Sequence, residues 1–289
     1  MNAPPDPRLH SRSRPRPRLR ARRDVVVSLS VVVLLVVCVI AGHLLLDDAA
    51  LRPNSAPRSS PPGVEHPFGT DHLGQDLFTR VVKGLALSLG IGVLTAAIST
   101  AVSAVLGICA ALLGRRVDGV VSWLIDLSIG IPHLIFMILL AFTVGGGVPG
   151  IVLGIALTHW MSLALLVRAD VKQIRGAEFI LVSRGLGRSP LFIARRHVLP
   201  LVLPQLLVGF VLMFPHVILH EAALTFLGFG FSPQTPAIGI LLSEGMPHIS
   251  SGMWWLAVFP GLALLLLVLG FARLGDRVRT VLDPATSNG

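Results

Sequence analysis

The chain has 289 residues, of which 53% are hydrophobic and only 13% are charged, and its net charge at pH 7 is +9. Soluble proteins carry about 25% charged residues, so this composition excludes an ordinary soluble domain and indicates an integral membrane protein. Both cysteines, Cys38 and Cys109, fall inside apolar segments, which predicts no disulfide framework.

The amino-terminal segment, residues 1–24, is rich in proline and arginine and has almost nothing apolar to bury, so we predict a disordered tail. The apolar stretch 25–46 predicts the first transmembrane helix, and its length favours an uncleaved anchor over a secretory signal. A segment rich in Pro, Ser and Asn follows, and Thr70 or Asp71 is predicted to cap a short helix. Residues 47–84 are therefore interpreted as an extracytoplasmic linker with an interfacial helix.

Five further apolar segments are each long enough to cross a bilayer whose core is about 30 Å thick. They cover about residues 85–113, 120–144, 149–167, 201–227 and 253–271. The sequence thus predicts an all-α membrane protein with six transmembrane helices and a five-helix core over residues 85–272. Glycine, proline and serine before the last segment predict a structured loop with a short surface helix over residues 237–242. Residues 273–289 are predicted to be a polar tail.

Lysine and arginine are distributed unevenly between the two sides that this topology defines. Of the 24 Lys and Arg residues, all but Arg52, Arg58, Arg80 and Lys83 lie on the side of the two termini. Because basic loops stay in the cytoplasm, both termini and residues 168–200 are predicted to be cytoplasmic. Membrane topology thus accounts for the positive charge, and lipid rather than nucleic acid is the expected surrounding partner. We find no clear internal repeat, which weighs against a secondary transporter built from duplicated halves.

Residues 168–200, which we call the elbow, are a basic segment between two predicted spans. Apolar residues at helical spacing predict a first helix, Gly187 is placed to end it, and Ser189-Pro190 is placed to begin a second helix that runs into Leu199-Pro200. A simple basic loop needs only arginines, yet this one also carries apolar side chains with no bilayer to cover them: Phe179, Ile180, Val182, Leu186, Leu191, Phe192 and Ile193. Such a surface is typical of a partner-docking site.

Ionisable side chains inside a bilayer are costly and are therefore candidates for function. The candidates for a translocation path are His159 in the fourth predicted span and, in the fifth, His216, His220 and Glu221; the third span holds His133 and Asp126. His216 and His220 share one helix face, and with a third imidazole from a neighbouring span they predict a transient site for a divalent metal or a metal chelate. The alternative is that these side chains hold helices together.

The elbow resembles the coupling segment of the inner-membrane permease subunits of ATP-binding cassette (ABC) importers. Gly187 and Leu199-Pro200 stand at the spacing of that family's motif, although Val182-Ser183 replaces its pair of small residues. Within the family the chain is similar to the dipeptide, oligopeptide and nickel branch, on the residues Glu178, Phe179, Ile180, Arg184 and Gly187. Four other stretches resemble this branch in the right order: HPFGTDHLGQDLFTR, Asp126 with Pro132, FLGFGFSPQTPAIG with WWLAVFPG, and LGDRVRTVLDP.

The resemblance implies the type I ABC importer permease fold, in the bacterial plasma (inner) membrane. It also implies four partners: a second permease subunit forming a heterodimer, two ATPase subunits and an extracytoplasmic substrate-binding protein. The chain has no Gly-x-x-x-x-Gly-Lys-Ser/Thr loop, so we expect no cofactor and no enzyme activity here, with ATP and Mg²⁺ used by the ATPase subunits. ATPase coupling is implied for Glu178, Phe179, Arg184, Gly187, Phe192, Leu199 and Pro200, and a gating or structural role for Asp126 and Pro132.

The sequence leaves the cargo open between small peptides and nickel-like metal ions or their chelates, with the histidines favouring metal. His220-Glu221 begins like the motif of an intramembrane zinc protease, but that motif needs a histidine where the chain has Leu224. The remaining alternative is an ion- or proton-coupled secondary transporter that uses buried His and Glu. Such a carrier would work on a gradient, without partner subunits or ATP.

Overall fold

The computed structural model describes residues 18–282, and this part of the chain is mostly α-helical and contains no β-strand. Five helices are long and apolar enough to cross a membrane, and a bent pair can make a sixth crossing. In chain order the helices are α1 (Arg18–Leu45), α2 (Leu77–Leu112), α3 (Arg115–Ile129), α4 (His133–Thr143), α5 (Gly147–Ile174), α6 (Glu178–Gly185), α7 (Pro190–Ile193), α8 (Leu199–Phe226), α9 (Ile238–Gly245) and α10 (Trp255–Leu282). The predicted all-α membrane fold is confirmed.

Helix α1 lies at the outside of the bundle and is longer than predicted. It begins at Arg18, so the prediction of disorder is wrong for residues 18–24, while residues 1–17 lie outside the described part of the chain. Each residue added to an existing helix gains a backbone hydrogen bond, so the apolar helix extends into its arginine-rich flank. Asp24 pairs with Arg277 of α10 at 3.3 Å, which ties α1 to the last helix.

Residues 47–76 form a folded lobe over the start of α2, where an interfacial helix was predicted. Its regular structure is one short 3-10 helix, Asp48–Leu51, and the rest turns repeatedly. Gly69 and Gly74 have φ angles of 76° and 74°. A Cβ atom at these two positions would approach backbone carbonyl oxygens of the lobe to 2.6 and 2.4 Å, so the turns need glycine.

Asp76 caps α2, and the predicted capping residues Thr70 and Asp71 have other roles. The Asp76 carboxylate accepts hydrogen bonds from the backbone N–H and the hydroxyl of Thr79, both at 2.8 Å. Thr70 and Asp71 are buried in the lobe, and Asp71 accepts from the guanidinium group of Arg80 at 2.6 Å. Helix α2 therefore starts at Leu77 and includes residues assigned by the sequence to the linker.

Helices α2 and α5 run side by side in the same direction. Ser99 of α2 donates to the carbonyl oxygen of Ala156 at 2.9 Å, and Ser103, one turn later, donates to that of Trp160 at 2.7 Å. Because two parallel neighbours need a return crossing between them, α3 and α4 have to carry the chain back across the bundle.

That return crossing is broken, and the prediction of one continuous span over residues 120–144 is wrong. Helix α3 ends at Ile129, α4 begins at His133, and the two axes differ by 103°. Pro132 has no N–H to donate and disfavours the helical conformation of the residue before it, which explains the break at this point.

Helix α9 is buried between α8 and α10, and the prediction that it lies at the surface is wrong. Ala237, Ile238 and Leu241 are at most 2% exposed. A Cβ atom on Gly239 would lie 1.8 Å from the hydroxyl oxygen of Thr225, so only glycine allows this approach of α9 to α8. The small residues that suggested a surface loop serve close helix contact instead.

Helix α10 runs to Leu282, beyond the predicted span 253–271 and through the first part of the predicted tail; residues 283–289 lie outside the described residues. Because α1 and α10 are antiparallel and paired at Asp24 and Arg277, both ends of the described chain lie at one end of the bundle. The elbow is at this same end, where Arg175 donates to the carbonyl oxygen of Ala111 at 2.9 Å. The lobe and α9 lie at the opposite end.

Candidate functional site

The elbow is anchored to the bundle through its basic residues. Asp118 of α3 pairs with Arg168 and, at 2.7 Å, with Lys172, both on α5. Arg175 adds its hydrogen bond to the carbonyl oxygen of Ala111 at the end of α2. These side chains, which the sequence assigned only to membrane topology, therefore also fix the base of the elbow against α2 and α3.

Helix α6 ends at Gly185, and Gly187 closes it in a Schellman motif. The N–H of Gly187 donates to the carbonyl of Arg184 at 2.9 Å, and the N–H of Arg188 donates to that of Ser183 at 3.2 Å. Gly187 has a φ angle of 73°, in the left-handed region that glycine adopts without strain. The predicted end of the first elbow helix at Gly187 is confirmed.

The second half of the elbow is continuous with α8. The Ser189 hydroxyl accepts from the N–H of Phe192 at 3.2 Å and so caps α7, as predicted. A π-helical turn, Ala194–Val198, follows, in which the N–H of Leu199 reaches the carbonyl oxygen of Ala194. This wider turn accommodates Pro200, which has no N–H to continue the α-helical pattern. The result is one helical rod from Pro190 to Phe226.

His197 joins the two halves of the elbow. Its ring lies 5.9 Å from that of Phe179 on α6 and 5.8 Å from that of Phe192 on α7, between ring centroids, and its Nε2 is 3.4 Å from the Ser183 hydroxyl. Arg188 places its guanidinium group 4.9 Å from the centre of the Phe192 ring. The sequence analysis did not select His197, because a local sequence pattern does not show which side chains of two helices joined by a turn are in contact.

The elbow has a buried inner side and an exposed apolar outer side. Ile180, Ile193 and Val198 are at most 2% exposed and hold it to the bundle. Glu178 and Arg184 are exposed, and the large apolar side chains of the elbow helices and turns that remain uncovered are Phe179, Leu181, Val182, Leu186, Leu191, Phe192 and Leu199. A groove of about 510 Å³ lies beside them, lined by Ser189, Leu191, Phe192, Arg195 and Arg196.

Three histidines from three helices meet beside the break in the return crossing, and we call them the histidine group: His133 of α4, His159 of α5 and His220 of α8. Their ring centroids are 4.8, 5.1 and 4.9 Å apart, and one nitrogen from each lies within 4.8 Å of the others. Each side chain is half-buried. The predicted metal pair of His216 and His220 is therefore replaced by a different set, to which exposed His216 does not belong.

Backbone carbonyl groups orient two of these rings. Nδ1 of His159 is 3.0 Å from the carbonyl oxygen of Ile155, and Nδ1 of His220 is 2.7 Å from that of His216. A carbonyl oxygen can only accept, so Nδ1 carries the proton in both rings and the lone pair of a neutral ring is on Nε2. His216 thus contributes to the histidine group through its backbone carbonyl oxygen, which orients the ring of His220.

Comparison with known proteins identifies the family. Residues 103–288 match the family described as binding-protein-dependent transport system inner membrane component. The chain belongs to this family. The permease is 33% identical over 89% of its length to the dipeptide transport system permease protein DppC of Bacillus subtilis, of which it covers 80%. It is 35% identical over 87% of its length to a putative peptide transport system permease protein of Brucella suis, of which it covers 86%.

A DppC protein of Alkalihalophilus pseudofirmus is likewise 33% identical over 90% of the permease, which covers 85% of that relative. Family and helices together establish a multi-pass inner membrane protein of bacteria, with the fold of an ABC importer permease. Components of this family serve transport and are generally not catalytic.

The other predicted residues of the permease lie apart from the elbow surface. Glu221 is fully buried between α2 and α8, where Ser88 donates to its Oε2 at 2.7 Å, and its Oε1 has no hydrogen-bond partner in the described part of the chain. Pro132 directly precedes α4 at the break. Asp126 is exposed one turn before the break, where its carbonyl oxygen accepts from the N–H of Gly130 at 3.1 Å.

Proposed function

We propose that this permease is the transmembrane subunit through which an ABC importer carries small peptides delivered by an extracytoplasmic binding protein. The observation that supports this most is the 33% identity over 89% of the chain with a protein named for dipeptide transport. The other relatives described above are also named for peptides or dipeptides. We therefore favour peptides over free nickel-like ions as the cargo.

In this proposal the outer side of the elbow docks onto the ATPase. Phe179 and Phe192 are partly exposed and meet through the His197 ring, which makes them suitable apolar anchors. Glu178 and Arg184 lie in the first and last turns of α6 and carry exposed charges of opposite sign, which supports oriented docking. Buried Ile180 and Ile193 keep this surface in place when the partner moves.

Coupling then follows from how the elbow is connected. Closure of the ATPase on ATP pushes the elbow, and the push reaches the membrane by two routes. One is the rod from Pro190 to Phe226, which contains Leu199 and Pro200; the other is the anchored end of α5 at Arg168 and Arg175. Both routes connect the elbow directly to long helices of the bundle, so we infer a rigid-body change between inward- and outward-open states.

We further propose the orientation and the partners of the permease. The elbow end carries most of the 24 Lys and Arg residues and is assigned to the cytoplasm, together with both termini. The lobe then faces the binding protein outside. A second permease completes the membrane part as a heterodimer, and two ATPase subunits bind ATP and Mg²⁺, so that this chain needs no cofactor of its own.

A secondary transporter is the competing function, and the relatives do not favour it. The experiment that separates the two is uptake of a labelled dipeptide into proteoliposomes that contain both permeases, the ATPases and the binding protein. We expect uptake only with ATP on the ATPase side and with the binding protein on the opposite side. Uptake by this chain alone on an ion or proton gradient, without ATP, would contradict the proposal.

A further inference from the structure

We propose that the histidine group is a binding site for a late first-row divalent cation such as Co²⁺, Ni²⁺ or Zn²⁺, and that it leaves one coordination position for a donor atom of the cargo. The ligands are His133, His159 and His220, on helices α4, α5 and α8. Neither the elbow nor the family assignment requires such a site.

The distances suit a site that closes on its metal. One nitrogen of each ring lies within 4.8 Å of the other two. Bonds of about 2.0–2.1 Å to a shared metal place imidazole nitrogens about 3.3–3.6 Å apart, so the rings have to approach one another by about 1 Å. Half-buried side chains can make such a movement by small rotations about their side-chain torsions.

The hydrogen bonds of the group leave the right atoms free. The carbonyl oxygens of Ile155 and His216 hold Nδ1 of His159 and His220, which presents Nε2 for ligation. A metal-bound histidine commonly donates its other N–H in this way, and the contact fixes the ring and raises its basicity. His133 is brought to the group by the break at Pro132, because it is the first residue of α4.

The ligand set selects the class of metal. It consists of three imidazoles, and none of the described Asp or Glu residues belongs to it. Glu221 is next to His220 in the sequence, but its carboxylate lies outside the group and accepts from Ser88 through Oε2. Imidazole ligands suit Zn²⁺, Ni²⁺, Co²⁺ and Cu²⁺, whereas Mg²⁺ and Ca²⁺ need oxygen ligands.

Three protein ligands leave a tetrahedral metal one open position. A peptide offers an amino terminus, amide groups and a carboxylate, so the open position fits the metal of a metal–peptide chelate. This last step rests on the proposed peptide cargo, whereas the metal site itself does not depend on it.

The test uses the assembled transporter in lipid nanodiscs, purified without a polyhistidine tag and titrated with Co²⁺. We expect the intense visible absorption of tetrahedral Co²⁺. The background is the signal of a triple variant, His133→Gln with His159→Gln and His220→Gln. After this background is subtracted, the absorption should saturate at one equivalent of Co²⁺. Each single substitution should weaken Co²⁺ binding by at least about 10-fold to 100-fold, the loss that follows even when a partner of a ligand is removed.

His216→Gln is the matched control, because it changes an imidazole one turn from His220 and keeps the carbonyl group that orients it. We expect Co²⁺ binding by this variant to be unchanged. Absence of a saturable tetrahedral spectrum in the wild-type transporter would overturn the proposal, whatever the variants do. An unchanged affinity in all three single variants would also overturn it and would mean that the rings only pack three helices together.

A second arm separates this inference from the proposed function. Addition of a dipeptide to the Co²⁺-loaded transporter should shift the cobalt spectrum, since a cargo atom enters the open position. A normal Co²⁺ titration without any dipeptide uptake would leave the metal site standing and reject the peptide cargo. Dipeptide uptake without Co²⁺ binding would reject the metal site and leave the proposed function standing.

Discussion

The two ends of the bundle are built in opposite ways. At the lobe end, charged side chains meet one another inside the protein: Arg80 is 4% exposed and pairs with Asp71 at 2.6 Å and with Glu244 at 2.9 Å. At the elbow end the surface is apolar and open, as the 74% exposure of Leu186 illustrates. The lobe is closed on itself, whereas the elbow lacks a partner within the described chain. The contrast supports a stabilising role for the lobe in this chain and is consistent with the proposal that the elbow docks onto another one.

The largest effect is expected from Arg80→Met, which removes the buried cation that pairs with two carboxylates at the lobe end. The substitution leaves Asp71 buried with its charge uncompensated and takes away the partner of Glu244. Breaking a buried pair in this way costs about 3–5 kcal/mol, and we expect that loss in the free energy of unfolding, measured by denaturant titration in nanodiscs. Arg52→Met, at an exposed position of the same lobe, is the control and should change little. Equal stability of the two variants would show that the lobe is not held by this network.

The next prediction compares substitutions at two neighbouring positions that lie on opposite sides of the elbow. Ile180 is fully buried and Leu181 is 54% exposed. Ile180→Ala should therefore cost about 2–5 kcal/mol of unfolding free energy. Leu181→Ala should cost less than about 0.5 kcal/mol, as surface substitutions usually do, while it reduces the apolar surface for the ATPase. Thermal unfolding of the two variants measures both losses. Equal losses would contradict the assignment of Ile180 to the buried inner side of the elbow and of Leu181 to its exposed outer side.

A charge reversal on the outer side should affect association and leave the fold unchanged. Arg184→Glu replaces an exposed cation on α6, so we expect unchanged unfolding but about tenfold weaker binding of the ATPase, equivalent to about 1.4 kcal/mol. Titration of the purified ATPase against the permease heterodimer measures this affinity. Arg279→Glu, near the end of α10, is the control with the same charge change. Unaltered ATPase affinity in Arg184→Glu would remove this residue from the docking surface.

An effect of similar or smaller size concerns two glycines of the elbow that differ only in backbone conformation. A Cβ atom meets nothing within 4 Å at either Gly185 or Gly187, but Gly187 alone has a positive φ angle, 73°. Gly187→Ala should therefore cost about 1–2 kcal/mol, because a left-handed backbone strains an L-residue. Gly185→Ala lies in a helix and should gain about 0.5–1 kcal/mol. We expect the two substitutions to change the free energy of unfolding in opposite directions. Changes in the same direction would contradict the Schellman motif at the end of α6.

Sequence reasoning reached the elbow because its signals are local. A glycine with positive φ and a Ser-Pro pair act on the backbone within a few residues, and Gly187, Ser189 and Pro190 are found in the predicted roles. The approximate positions of the long apolar helices followed from hydropathy for the same reason.

The sequence could not locate what depends on contacts between distant segments. Hydropathy is summed over a window, so the apolar run 120–144 concealed the break that Gly130 and Pro132 signal locally. The histidine group needs α4, α5 and α8 to be placed in space, so helical spacing alone suggested His216 as the partner of His220. The burial of α9 likewise depends on Gly239 meeting Thr225 of another helix.

Site-directed cross-linking tests most directly whether the elbow is the surface that docks onto the ATPase. In a background with Cys38→Ala and Cys109→Ala, one new cysteine is introduced by Val182→Cys on the elbow, where the side chain is 61% exposed. The control is Val64→Cys on the lobe, where the side chain is fully exposed. A cysteine-directed photocrosslinker should join the elbow variant to the ATPase and the lobe variant to the binding protein. Cross-linking of the ATPase to the lobe variant, or to neither variant, would contradict the proposal that the elbow is the docking surface.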